Sequence, residues 1–291
     1  MRNIRCRDVS LYFLPVETRV PLKFGPETTT HVTCARAQMR VENDSGKSAL
    51  GWGETPLNVQ WVWPSSLSWE ERHGVLKEFT VKLKSAWREF DMAGHPMEIG
   101  HAFQREILFG LLEQTNAERS GTEAMPWLAA LVCCSLFDIA LHDAYGVLHG
   151  CPVYETYSSQ FMNRDLSFYL GPAEDTRVSF EGKYPEDFLV RPAPKELMAW
   201  HLVGGKDLLD RSELTGEEPD DGYPVLLPDW IQRDGLKCLK VKLRGNDYDL
   251  DYDRLVQVGK IGIDMGVDWL SSDFNCTVEE TAYVNEILDR L

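Results

Sequence analysis

Two apolar runs joined by a helix-length amphipathic stretch limit what the C-terminal part of this chain can become. The runs are LKCLKVKL (236–243) and VDWLSSDFN (267–275), and DLDYDRLVQVGKIGID (249–264) lies between them. Strands separated by a crossover helix lie parallel, whereas a tight turn would make them antiparallel. TVEETAYVNEILDRL (277–291) follows as a further helix, with Thr277 placed as its cap and Glu280 three residues later. Strand, helix, strand, helix is the parallel α/β rhythm.

The first run carries two lysines one residue apart. Residues i and i+2 of a strand share a face, so Lys240 and Lys242 project together while Leu239, Val241 and Leu243 form the other, apolar side. Two ammonium groups held close and partly desolvated push one lysine's pKa down, which suits a base working near neutral pH. An edge strand with a solvated lysine face would show the same letters. Asp273 ends the second run, at the carboxyl end where parallel-sheet enzymes place their working groups. A carboxylate there can ligate a hard cation such as Mg2+, or simply cap the turn. Asn275 could bond a substrate oxygen or orient that carboxylate. Both signals fall at the ends of successive strands, so the side chains are expected to converge on one mouth.

The front half reads differently. Val9, Leu11 and Phe13, then Val32 and Cys34, then Ala37, Met39 and Val41 recur at period two, and ENDSGKS (42–48) is a turn cluster before ALGWGE. A three-stranded meander is expected. Leu76, Phe79, Leu83, Trp87 and Phe90 keep helical spacing up to Gly94-His95-Pro96; Ile99, Phe103, Ile107 and Leu111 continue in a second helix, and a third runs from about Pro126 to Tyr145. LSFYLG (166–171) reads as a short buried strand, and the polar stretch 171–228 as an insertion, lid or partly disordered loop.

Charge and cysteine usage exclude several classes. The net charge of −16 offers no basic block for nucleic acid. Seven cysteines without a C-x-x-C pattern argue against a zinc site or a disulfide frame. The N-terminus has no apolar core after its arginines, and the most apolar stretch, Trp127–Ala144, is broken by Asp138, His142 and Asp143. The expectation is a cytoplasmic protein with no membrane partner. Asp138 and His142, at i and i+4, are expected to form a buried structural pair rather than a metal site; the other histidines show no ligand spacing.

Taken together, LKVKLRG (239–245) and DWLSSDFN (268–275) resemble the second and third barrel strands of the enolase superfamily, in its mandelate racemase and muconate-lactonizing branch. PLKFG (21–25), GWGETPL (51–57) and LFDIALHDAYGVLHGCPVYE (136–155) resemble that family's capping domain and the helix leading into its barrel. The resemblance implies an α+β capping domain (1–160) followed by the first part of a (β/α) TIM-type barrel (161–291), incomplete at about three strands and with a long insertion at about 171–228. It implies a Mg2+-dependent lyase or isomerase that takes the α-proton of a small-molecule carboxylate and passes through an enediolate, a class that includes acid-sugar dehydration. Lys242 would be the base, Lys240 its helper and a holder of the substrate carboxylate, Asp273 a metal ligand, and Asn275 a polar contact to substrate. Lys23–Thr30 and Thr55–Trp63 would be wall segments, with Trp61 and Trp63 lining a pocket or packing.

A complete eight-stranded barrel takes roughly 250 residues. The letters after the capping region supply three strands, and the family's remaining metal ligands and second acid/base lie on later ones. The expectation is therefore a piece of a longer protein, with Mg2+ requiring ligands not present in this chain and high-affinity Mg2+ binding absent. The alternative is a non-catalytic fragment or interaction module, and a homo-oligomer is left open.

Overall fold

The computed structural model describes residues 2–24 and 27–291, with the side chains of Lys23 and Phe24 also outside the description. It divides into two compact units, residues 1–16 with 32–193, and residues 17–31 with 194–291. The expected boundary at 160 falls earlier than this division. Residues 161–193 are tied back to the first unit: the Asn163 and Arg164 amides donate to Glu98 Oε1 at 2.7 and 3.1 Å, and the Glu186 amide donates to the Tyr157 carbonyl at 3.1 Å.

In the first unit, β1 (Ile4–Phe24), β2 (Glu27–Asn43) and β3 (Ser48–Pro56) form the expected three-stranded sheet in that order, although the far ends of β1 and β2 belong to the second unit. β2 and β3 pair antiparallel, and the alternation of Ala35, Ala37, Met39 and Val41 buries one face completely. A single helical turn, α1 (Val59–Val62), leads to α2 (Trp69–Glu89), whose Ser68 side chain accepts from the Glu71 amide as a cap. α2 buries Val75, Leu76, Phe79, Leu83 and Trp87 along one stripe. α3 (Pro96–Phe103) starts on a His95/Glu98 capping box, then passes through a π turn (Gln104–Leu108) into α4 (Phe109–Glu118). That turn explains a phase shift. Sequence spacing points Ile107 and Leu111 inward, yet Leu108 and Leu112 are the buried residues, because a π turn inserts one residue into the helical register.

α5 (Trp127–His149) is the central helix of this unit, and it is long and apolar enough to cross a membrane by length and composition. Here it packs on β3 so closely that two glycines are required. A Cβ on Gly51 would lie 2.1 Å from the Ala144 amide nitrogen, and one on Gly53 would lie 2.0 Å from the Leu136 carbonyl oxygen. Gly150, left-handed at φ +70°, ends the helix.

LSFYLG is not a strand. Asp165 accepts from the Ser167 amide and starts a 3-10 turn over Leu166–Phe168, in which only Leu166 is buried. The first strand of the parallel sheet is instead β4 (Trp200–Val203), inside the stretch expected to be loop. α6 (Leu227–Asp234), β5 (Cys238–Lys242), α7 (Tyr248–Met265), β6 (Trp269–Asp273) and α8 (Thr281–Arg290) complete the second unit. The sheet order is β4-β5-β6, all parallel, and Leu239 and Val241 are fully buried with Val203, Ile231, Val258 and Ile287. Each such aliphatic side chain contributes about 1.5–3 kcal/mol. Trp200 on β4, and Trp269 and Leu270 on β6, are exposed at the sheet's two margins.

Candidate functional site

β5 and β6 pair in parallel with Lys242 opposite Asp273 and Lys240 opposite Ser271. This register decides the geometry. The Lys240 and Lys242 Nζ atoms each lie 2.9 Å from the same oxygen, Oδ2 of Asp273. The other oxygen, Oδ1, accepts from the Asn275 amide at 2.9 Å. Lys242 is the more enclosed lysine, with 11% of its side chain exposed against 44% for Lys240. Partial burial on its own raises the Asp273 pKa, but the hydrogen bonds from Lys240 and Lys242 and from the Asn275 amide outweigh it and hold the carboxyl well below its ordinary value. The two ammonium groups anticipated as mutual repellents are thus bridged by a carboxylate.

The turn after β6 is held tightly. Asn275 and Cys276 both take φ +57°, and Asn275 Nδ2 donates to the Leu243 carbonyl at 2.6 Å. Its Oδ1 is buried without a hydrogen-bond partner. Thr277 does not cap the last helix. Its hydroxyl donates to the carbonyls of Arg244 and Phe274, which anchors the β6 turn to the β5 turn, and α8 begins only at Thr281. Gly245, at φ +76°, lies against that hydroxyl, where a Cβ would come within 2.1 Å.

Sequence spacing did not single out the brace beneath these turns. Asp251, fully buried on α7, accepts from the Arg244 and Gly245 amides at 2.8 and 2.7 Å and from the Tyr283 hydroxyl at 2.8 Å. Asp247 caps α7, its side chain accepting from the Leu250 amide. Lys237 donates to the Gly266 carbonyl at 2.7 Å and closes the other end of that helix. Above the strand ends, Lys242 and Asn275 face a cleft of about 990 Å³.

The donor set here is oxygen-rich but small. Asp273 and the unpartnered Asn275 Oδ1 are hard donors of the kind Mg2+ takes. Among the described residues, however, no three histidine, cysteine, aspartate or glutamate side chains stand close enough to hold a metal ion. These residues alone do not fit a protein-held Mg2+, and the remaining donors would have to come from elsewhere.

The other candidates separate clearly. His142 Nε2 lies 3.9 Å from Asp138 Oδ2, and its Nδ1 is 3.0 Å from the Tyr157 hydroxyl. Burial raises the Asp138 carboxyl and lowers the His142 imidazole, so this is a desolvated pair inside the first unit. Trp63 is buried in that unit's core, its Nε1 donating to Glu123 Oε1 at 3.3 Å, while Trp61 is exposed. Of PLKFG and the proposed wall segment Lys23–Thr30, Gly25 and Pro26 lie outside the described residues.

No protein-family model and no curated protein matches the sequence. Solved structures do match. The L-Ala-D/L-Glu epimerase of Bacillus subtilis superposes with a TM-score of 0.55 at 15% identity, over 98% of this chain and 58% of that one. An enolase from Bradyrhizobium, complexed with magnesium and mandelic acid, gives 0.55 at 16%, over 99% and 60%. A mandelate racemase/muconate lactonizing protein from Herpetosiphon aurantiacus gives 0.52 at 12%, over 98% and 57%. The chain therefore spans somewhat more than half the length of the structures it matches. What it shares with these structures of the mandelate racemase and muconate-lactonizing branch of the enolase superfamily is their fold.

Proposed function

We propose that this chain supplies the lysine side of an active site that removes the α-proton of a carboxylate substrate by way of an enediolate, in a Mg2+-dependent lyase or isomerase; acid-sugar dehydration falls within that class. The observation that carries it is the meeting of Lys240 and Lys242 on Asp273 Oδ2 at the carboxyl ends of adjacent parallel strands. In this reading β4, β5 and β6 are the opening strands of a (β/α) barrel. Lys242, the more enclosed of the two lysines, is the base. Lys240, nearer to solvent, receives the substrate carboxylate, and Asn275 contributes a polar contact. Abstraction requires Lys242 to leave its ion pair with Asp273, so that pair is the resting arrangement rather than the reactive one. Asp273 would contribute one oxygen ligand to Mg2+.

The test is α-proton exchange in D2O, followed by NMR, with a panel of acid sugars and Mg2+. Exchange is expected with Mg2+ in large excess, since Asp273 alone does not hold the ion tightly, and Lys242→Ala should slow it at least about 100-fold, the usual contribution of a positioned base. Loss of exchange on Lys240→Ala but not on Lys242→Ala would reverse the assignment. Absence of exchange from the unaltered chain would remove the enzymatic reading.

A further inference from the structure

The first unit holds a cleft of its own, of about 570 Å³, a volume that suits a small molecule. One side of it comes from α3 and the π turn that follows, the other from residues 163–168. Met92, Ala93, Ala102 and Phe168 give it an apolar wall, and the His101 ring meets Phe168 edge-on with centroids 5.4 Å apart. The charged side chains that line it are Glu98, Arg105, Glu106 and Arg164.

These four are not equally engaged. Glu98 is buried, and its carboxylate accepts from the Asn163 and Arg164 amides at 2.7 and 3.1 Å, from the His95 amide at 3.1 Å and from Asn163 Nδ2 at 2.7 Å. Four donors satisfy that charge in place and fix residues 163–164 against α3. Arg164 rests its guanidinium over the Phe168 ring, Cζ 5.3 Å from the centroid. Arg105 and Glu106 are exposed and make no hydrogen bond or ion pair among the described residues.

Arg105 and Glu106 are neighbours in the chain, and successive residues of a helix do not face one another. Both nevertheless line the cleft, from the π turn that interrupts the register between α3 and α4. Such turns occur frequently at functional sites. An uncommitted cation and an uncommitted anion thus stand side by side, with a second guanidinium on the facing segment and an apolar wall between. That pattern complements a molecule bearing a carboxylate and an ammonium group on one carbon, beside an apolar body.

We propose that this cleft binds a free α-amino acid with an apolar side chain. Arg105 and Arg164 take its carboxylate, Glu106 takes its ammonium group, and the side chain lies against Met92, Ala102 and Phe168. The site shares no residue with the strand-end cleft and does not depend on the function proposed above.

Calorimetric titration of the full chain at low salt, without Mg2+, tests it. The probes are L-phenylalanine, 3-phenylpropionate, which lacks the ammonium group, and phenethylamine, which lacks the carboxylate. Phenylalanine is expected to bind at least about tenfold more tightly than either, because each truncated probe forgoes a charge-assisted contact. Glu106→Gln should bring the preference over 3-phenylpropionate to about one and keep that over phenethylamine. Arg105→Gln should reduce the second preference and keep the first. Both positions are exposed, so neither change disturbs the core. Lys242→Ala should leave phenylalanine binding unchanged. No binding of phenylalanine, equal binding of the three probes, preferences that neither variant alters, or loss of binding on Lys242→Ala would each overturn the proposal.

Discussion

His95 should make the first unit sensitive to mild acid. Its ring is fully buried, its Nδ1 accepts from the Met97 amide at 3.2 Å, and Nε2 lies 3.4 Å from the Thr156 hydroxyl. The neighbouring rings are Tyr145 at 4.8 Å, Tyr157 at 5.9 Å and His142 at 6.3 Å. Protonating Nδ1 would remove the acceptor that caps α3. Desolvation first, and then the proximity of His142 and His149, pushes the imidazole down to about 3, against a partial offset from the Thr156 backbone. A group whose pKa is depressed on folding stabilises the fold above its unfolded value near 6.5, and that stabilisation is lost as pH falls towards the folded value. Linkage then gives a loss of about 2 kcal/mol between about pH 7.5 and about pH 5, and about 5 kcal/mol once both states are protonated. Urea unfolding followed through the buried Trp63 and Trp87 would read it. His95→Asn keeps a capping acceptor but does not titrate, so it should lose about 2 kcal/mol less over the same interval. Equal acid sensitivity of the two proteins would show that His95 is not the source.

Two further substitutions probe how the strand ends and the core helix are held. Asp251→Ala leaves the Arg244 and Gly245 amides and the Tyr283 hydroxyl without their acceptor. It should cost about 3–5 kcal/mol in the second unit by thermal or chemical unfolding, and a loss under about 1 kcal/mol would mean water replaces the carboxylate without penalty. Gly53→Ala drives a methyl into the α5 backbone and should cost about 3 kcal/mol, whereas Gly110→Ala, with open space around its Cβ position, should be neutral or slightly stabilising. Comparable melting temperatures for the two alanine variants would contradict the close packing of α5 on β3.

Period-two spacing was enough to place Lys240 and Lys242 on one face of a strand and Asp273 at the end of the next. It could not show that one carboxylate oxygen bridges both lysines. That depends on the register between β5 and β6, which is fixed by the turns that Asp251, Thr277 and Asn275 hold together across the chain. The failure at LSFYLG has a local cause, since six residues are too few for periodicity to outweigh an Asp165 side chain that turns the backbone. β4 stayed hidden for the opposite reason. Its four residues bury only Val203 completely, and they sit within a run whose composition reads as loop. Nothing in the letters marked the cleft over the strand ends, because its lining comes from the turns after β4, β5 and β6 together with α7, which lie far apart in the sequence.

The pairing of Arg19 with residues near the end of β4's long connection bears on how the chain can be made and cut. Arg19 grips Asp221 through two nitrogens, at 2.6 and 2.8 Å, and donates to the carbonyls of Tyr223 and Pro224, across some two hundred residues of sequence. Arg19 is therefore synthesised some two hundred residues before the segment it clasps. The second unit is complete only when both segments are present, and a fragment beginning at Pro194 would lack part of its own structure. An N-terminal deletion ending near Thr30 is thus a lesion in the lysine-bearing half of the protein, although it lies nowhere near that half in the sequence.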